Sequence, residues 1–193
     1  PFNLKSTISA GNYNSFRGNL QLFGKAGKLS YQTRYSTINT RGFSAAKDSS
    51  ETKGLDKDGY HGNIINASVQ YQSTKQLNLR SFVQYSKYKS DVDASAFTGD
   101  KDFTIRNANL TTGAGFTFKN DAVAVNGNYQ YTENNRHFLN DSGDISGFST
   151  YMRDDYFSKS QFIELYATVK LNKSFTLLQG ADYRFGSFNN QYL

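Results

Sequence analysis

The sequence has no cysteine, no tryptophan and a single proline, Pro1. Without cysteine there can be no disulfide, and the absence suits a compartment where stray thiols would oxidise. No segment approaches the ~18 continuous apolar residues that a membrane helix needs, which excludes a helical span. A sustained helical period is also missing. The formal net charge of +6 at pH 7 is spread over Lys and Arg that alternate with acids. There is no block of like charge and no basic stripe with interleaved aromatics, so nucleic acid is excluded as a partner. The chain does not begin with Met and carries no signal-peptide pattern, and it reads as mature, trimmed or excised.

What the sequence does contain is a two-residue alternation in about nine stretches. In the segment 161–171, Ile163, Leu165, Ala167, Val169 and Leu171 share one side, while Glu164, Thr168 and Lys170 take the other. Leu77, Leu79, Val83 and Tyr85 oppose Asn78, Arg80, Gln84 and Ser86 in the same way. Successive side chains leave opposite faces of a pleated strand, so a period of two predicts β-structure. The 14 Tyr and 16 Phe suit strands and could supply interfacial girdles. Strands are expected near 4–13, 16–25, 28–41, 61–73, 76–89, 104–119, 121–133, 159–172 and 174–187. The class is all-β, an antiparallel up-and-down meander.

The connections alternate in length. Ala26-Gly27, Ser73-Thr74-Lys75, Asn120-Asp121 and Asn172-Lys173 are tight turns, whereas 42–60, 90–103 and 134–158 are long and polar. Tight turns on one rim and long loops on the other describe an outer-membrane barrel, with lipid on one face and a wet lumen on the other. About nine strands is an odd count, and a sheet ending at 187 would have two open edges that lipid does not tolerate. The chain is therefore expected to be part of a larger barrel.

Residues 8–43, from Ile8-Ser9-Ala10-Gly11 to Arg41-Gly42-Phe43, resemble the first barrel strands of TonB-dependent outer-membrane transporters, after the plug domain. The likeness runs through 55–60, the acidic stretch 91–102 and the strand pair 159–187, and it leans toward the cobalamin (vitamin B12) members. The resemblance implies outer-membrane lipid around the wall, an extracellular small ligand such as cobalamin, and TonB engaged only through a plug that has no counterpart here. A siderophore, glycan or peptide ligand, or an adhesion barrel through which nothing passes, are the alternatives.

Loop 42–60 holds Asp48, Glu51, Asp56 and Asp58, and loop 90–103 holds Asp91, Asp93, Asp100 and Asp102. Both leave the same rim, and carboxylates from neighbouring loops can converge on Ca²⁺, which takes ~6–8 oxygen ligands. The resemblance implies a Ca²⁺ site at Asp56, Asp58, Asp93 and Asp102, with Asp100 as the alternative to Asp102 and Ser44 standing where the family has a further acid. An EF-hand is rejected because Ala67 occupies the position of its bidentate Glu.

No catalytic residue is expected. His61 and His137 are the only histidines, and a pairing of His137 with Asp141 or Asp144 is the one conceivable acid–base couple. There is no G-x-S-x-G elbow, and Gly113-Ala114-Gly115 lies inside an alternating strand where small residues ease packing. Arg34, Arg80, Arg106 and Arg184 are assigned to the polar faces, pointing into the lumen to brace a plug or pair with wall acids such as Glu164 and Asp182.

Overall fold

The computed structural model describes residues 2–47, 55–141 and 151–192. Nine strands follow one another: β1 (Phe2–Gly11), β2 (Ser15–Ala26), β3 (Leu29–Thr40), β4 (Tyr60–Gln72), β5 (Leu77–Asp91), β6 (Thr104–Lys119), β7 (Val123–Asn140), β8 (Met152–Lys170) and β9 (Thr176–Tyr192). They form one antiparallel sheet in sequence order that is not closed into a barrel. The meander expected from the alternation is thus present. Three boundaries differ by five residues or more: β7 continues seven residues past 133, β8 begins at Met152 rather than 159, and β9 runs to Tyr192 rather than 187. Most of the region read as the loop 134–158 is therefore strand.

The register aligns the apolar positions of all nine strands on one face. Tyr183, Ile163, Tyr129, Ala114, Ser81, Val69 and Tyr31 lie in one cross-strand row, and Leu165, Gly127, Phe116, Leu79, Tyr71 and Leu29 in another. Counting from the ends at the tight turns, no charged residue occurs on this face for about nine residues of any strand, which matches a transmembrane strand of ~9–11 residues. Leu165 is 53% exposed, Ile163 47% and Leu79 42%. Among the described residues no hydrophobic side chain is buried. A single sheet has no protein partner for its apolar face, so acyl chains must cover it. No helix among the described residues is long and apolar enough to cross a membrane, which leaves crossing by strands untouched.

Each strand from β4 to β8 reaches one residue further toward the tight-turn rim than its predecessor's pairing. Leu29 pairs with Tyr71, leaving Gln72 beyond it, and Leu77, Lys119, Val123 and Lys170 extend the series. One residue of rise, ~3.4 Å, per inter-strand spacing of ~4.8 Å corresponds to a tilt of about 35°. The opposite ends climb instead, so β7 and β8, at 18 and 19 residues, stand well above the lipid-facing band.

The turns follow local chemistry. Between β1 and β2, Tyr13 (φ 59°) and Asn14 (φ 52°) adopt the left-handed region. Asn tolerates it readily; Tyr13 is held by its carbonyl, which accepts from Arg41 N at 3.0 Å, and by its ring, 5.5 Å from Phe43. In the β6–β7 turn, Asn120 Oδ1 accepts from Ala122 N and Val123 N, an Asx cap that fixes the next strand's start.

Candidate functional site

Three groupings lie where an extracellular solute would meet this wall. The first is the docked pair of rim loops. Asp93 Oδ2 accepts from Ser44 Oγ (2.9 Å) and Ala46 N (2.6 Å), and Asp58 Oδ2 accepts from Ala45 N (2.8 Å). Lys47 N donates to Ala96 O at 2.7 Å, closing one loop onto the other. Gly42 (φ 64°) makes this approach possible, because a Cβ there would collide with the Asp58 carbonyl. Burial raises the Asp58 carboxyl above its usual range, against the Ala45 hydrogen bond, and the neighbouring Asp93 and Asp56 carboxylates add to the rise. Asp58 Oδ1 and Asp93 Oδ1 are buried without a hydrogen-bond partner. Asp56 Oδ1 sits beside the same spot, next to Gly99.

These orphaned oxygens fit a hard cation in chemistry, although among the described residues no three acidic or histidine side chains form a ready-made cage. Of the four expected metal ligands, the structure brings together Asp56, Asp58 and Asp93. Ser44, read as a departure from the acid expected there, joins them through Asp93. Asp102 belongs elsewhere. It neighbours Asp100 and Asp141, and its carboxyl is pushed up to about 6, first by the hydrogen bond shared with Asp141, then by burial and by Asp100. Asp100, only 1% exposed, accepts from Asp102 N, Phe103 N and Asn140 Nδ2, which ties this loop to the end of β7. Asp48 and Glu51 lie outside the described residues.

The second grouping is aromatic, on the polar face near the upper ends of the strands. Tyr60 and Tyr88 stack at 5.6 Å, and Tyr156 meets Phe138 at 5.7 Å and Phe188 at 5.9 Å. The Tyr156 hydroxyl donates to Asp154, and Arg136 Nε donates to Asn107 Oδ1 at 3.3 Å. The sequence reading missed this cluster because it placed Arg136, Phe138 and Tyr156 in a loop. Continuing the β7 alternation past Thr132 to Asn134, Arg136 and Phe138 would have found part of it.

The third grouping is the cationic polar face. The register places Lys5, Arg17, Lys25, Arg34, Arg80, Lys119, Arg136, Lys170 and Arg184 there, against Asp154, Glu164 and Asp182. The arginines are anchored by neutral groups. Arg34 Nε donates to Asn19 Oδ1 (2.6 Å) and Ser36 Oγ (3.2 Å), and Arg184 lies 5.0 Å from the Phe162 ring centre. Arg80 donates to Asn128, whose Nδ2 donates to Glu164 Oε2 at 2.7 Å, so wall pairing is present but indirect.

Two expectations are corrected. Arg106 pairs with Lys89 and His137 in the ladder and shares its face with Ala108 and Leu110, so it points outward, not into the lumen. His137 lies in β7 and contacts Asp155 at 2.6 Å rather than Asp141; Asp144 lies outside the described residues.

The fold has clear counterparts among solved structures. The ferripyoverdine receptor of the outer membrane of Pseudomonas aeruginosa, bound to ferripyoverdine, superposes with a TM-score of 0.79 at 12% identity, over 99% of this chain and 28% of that one. The same receptor in complex with pyocin S2 gives 0.78 at 12% identity, over 99% and 28%. The siderophore receptor PiuA from Acinetobacter baumannii gives 0.73 at 14% identity, over 98% and 30%. The chain thus spans under a third of the length of these receptors, and at such identities the likeness establishes the barrel fold and nothing finer. A search of curated protein sequences finds no match. The profile of a sequence family, however, matches residues 29–190, covering most of the ladder from β3 to β9. With its lipid-facing and polar faces sorted as an outer-membrane wall requires, this chain belongs to the family of putative outer-membrane β-barrel porins, MtrB/PioB.

Proposed function

We propose that this chain forms part of the wall of an outer-membrane passage whose basic lumen favours anionic solutes. The observation that carries the reading is the excess of Lys and Arg on the polar face, with Arg34 and Arg184 held by amide, hydroxyl and ring rather than by carboxylates. Rings of Arg or Lys select anions because their field lowers the barrier to a negative charge in a low-dielectric channel. The test is the reversal potential of the protein in planar bilayers under a salt gradient. Wild type should prefer chloride over potassium, and replacing Arg34, Arg80 and Arg184 together by Gln should bring that preference toward neutrality. A cation-selective wild type, or unchanged selectivity in the variant, refutes the reading.

A second reading is TonB-dependent capture of an extracellular ligand, either a siderophore, as bound by the structural counterparts, or a corrinoid such as cobalamin. Two features favour it: the aromatic cluster at the lumen mouth, which suits a ligand with flat or ring-shaped surfaces, and the docked acidic loops. In that reading Ca²⁺ would be held by Asp56, Asp58 and Asp93, neutralising their repulsion and fixing the two loops together for capture. The readings separate in two assays. An open porin conducts without energy input, whereas a TonB-dependent transporter takes up labelled ligand only in cells that retain TonB.

A further inference from the structure

We infer that the outward face of the upper rim binds the phosphate groups of the outer leaflet's glycolipid. Above the uncharged band, this face changes character within one or two residues on neighbouring strands. Lys87 follows Tyr85 on β5, Arg106 follows Ala108 on β6, and Lys159 follows Gln161 on β8. Lys89, Arg106 and His137 are consecutive in one cross-strand row, continued by Asp155. At the strand tilt of about 35°, Arg106 and His137 stand roughly 35–40 Å above the tight-turn rim and Arg153 roughly 47 Å, all above a ~30 Å hydrocarbon core that begins at that rim.

The row contains a built cationic pocket rather than a loose scatter of charge. Asp155 is 6% exposed, with its two oxygens engaged by His137 Nδ1 (2.6 Å) and Arg153 Nε (3.0 Å). It therefore aims both basic groups outward while they remain 42% and 49% exposed. The ring of Phe157 supports His137 from the side, 5.7 Å away in a T-shaped contact. A cavity of about 300 Å³ is lined by Arg106, His137, Arg153 and Asp155 together with Thr104 and Leu139. Among the described residues Arg106 has no hydrogen bond or ion pair. The other acids on this face are already engaged: Asp91 by Lys89 at 2.9 Å and Glu133 by Lys159 at 3.8 Å. Arg153 is balanced by Asp155, so Lys87 and Arg106 leave a surplus of positive charge facing the leaflet. A phosphate supplies acceptors for Arg106 and Arg153 together, and charge-assisted bonds to guanidinium are among the stronger polar contacts. Unlike phosphate free in solution, a lipid-borne phosphate is delivered at this height by the acyl chains packed on the band below.

The test measures binding of purified lipopolysaccharide to the folded protein in detergent by native mass spectrometry, with heat-modifiable gel mobility confirming the fold. The double variant Arg106→Gln/Arg153→Gln should bind at least about tenfold more weakly, as should wild type offered dephosphorylated lipopolysaccharide. Arg106→Lys/Arg153→Lys should retain part of the binding, and the lumen variant Arg80→Gln all of it. Inorganic phosphate alone should show no retained adduct. Equal affinity for the phosphorylated and dephosphorylated forms, or an unaffected double variant that is folded, overturns the proposal. So does an equal loss in Arg80→Gln, which would place the contact in the lumen. Ion selectivity in bilayers should be the same in wild type and the Gln double variant, so failure here leaves the lumen reading to its own test.

Discussion

Exchanging single residues for Arg on the two faces of β8 tests the sidedness from which the membrane assignment follows. Leu165 lies five residues from Lys170 on the apolar face, 53% exposed, in a row with Gly127 and Phe116. Five residues at ~3.4 Å and a tilt of about 35° put it about 14 Å above the tight-turn rim, near the centre of a ~30 Å hydrocarbon core. An arginine at the midplane of a barrel's lipid face costs ~2–4 kcal/mol. Thr168, three residues away, pairs with Ala124 and Leu178 on the polar face and makes no side-chain hydrogen bond to a described residue. An arginine there meets water and should change stability by no more than ~0.5 kcal/mol. Equilibrium urea unfolding of the protein refolded into phospholipid vesicles should therefore place Leu165→Arg about 2–3.5 kcal/mol below Thr168→Arg. Equal costs, or a larger cost for Thr168→Arg, would mean that the Leu165 face does not contact lipid.

Other outcomes follow from the rim. Because Asp102 has a raised carboxyl pKa of about 6 against 3.8 unfolded, the protonated form is the one the fold favours. Its contribution is full below about pH 4 and is lost as pH rises through about 6. Amide exchange at Asp102 and Phe103, both bonded to Asp100, should therefore be slower at pH 5 than at pH 7.5 after correction for intrinsic rates; no difference refutes the assignment. Gly42→Ala should loosen the docked loops by about 1–3 kcal/mol, through its positive φ and the collision with the Asp58 carbonyl, and appear as faster proteolysis after residue 42 without loss of the barrel. If Ca²⁺ joins the loops, millimolar Ca²⁺ should slow that proteolysis in wild type and have no effect in Asp58→Asn/Asp93→Asn. Protection persisting in the variant would place any metal elsewhere.

The parts of the fold that lie in lipid were legible in the sequence, and the parts above it were not. In β5 and the lower part of β8 the two faces meet different solvents, so Leu79 against Arg80 or Leu165 against Glu164 announces a strand. Above the lipid both faces are wet. Glu133, Asn134, Asn135 and Arg136 lose the contrast, as do Arg153, Asp154 and Asp155, and the stretch 134–158 reads as loop although most of it is paired. The same loss of contrast explains Arg106, which was assigned inward for its chemistry while its parity with Ala108 pointed outward. The acidic loops were identifiable as a region, but the partition of Asp102 from Asp56, Asp58 and Asp93 depends on which loop packs on which strand end, and spacing alone carries no record of that.

The one-residue step between successive strand ends has an architectural consequence. Because the step is the same at each junction from β4 to β8, every hairpin repeats the slope of the one before it. A wall of this kind can be widened by inserting further hairpins without re-angling those already present. The bore is then governed by the number of hairpins in the ring, while the slope, and with it the match to membrane thickness, stays constant.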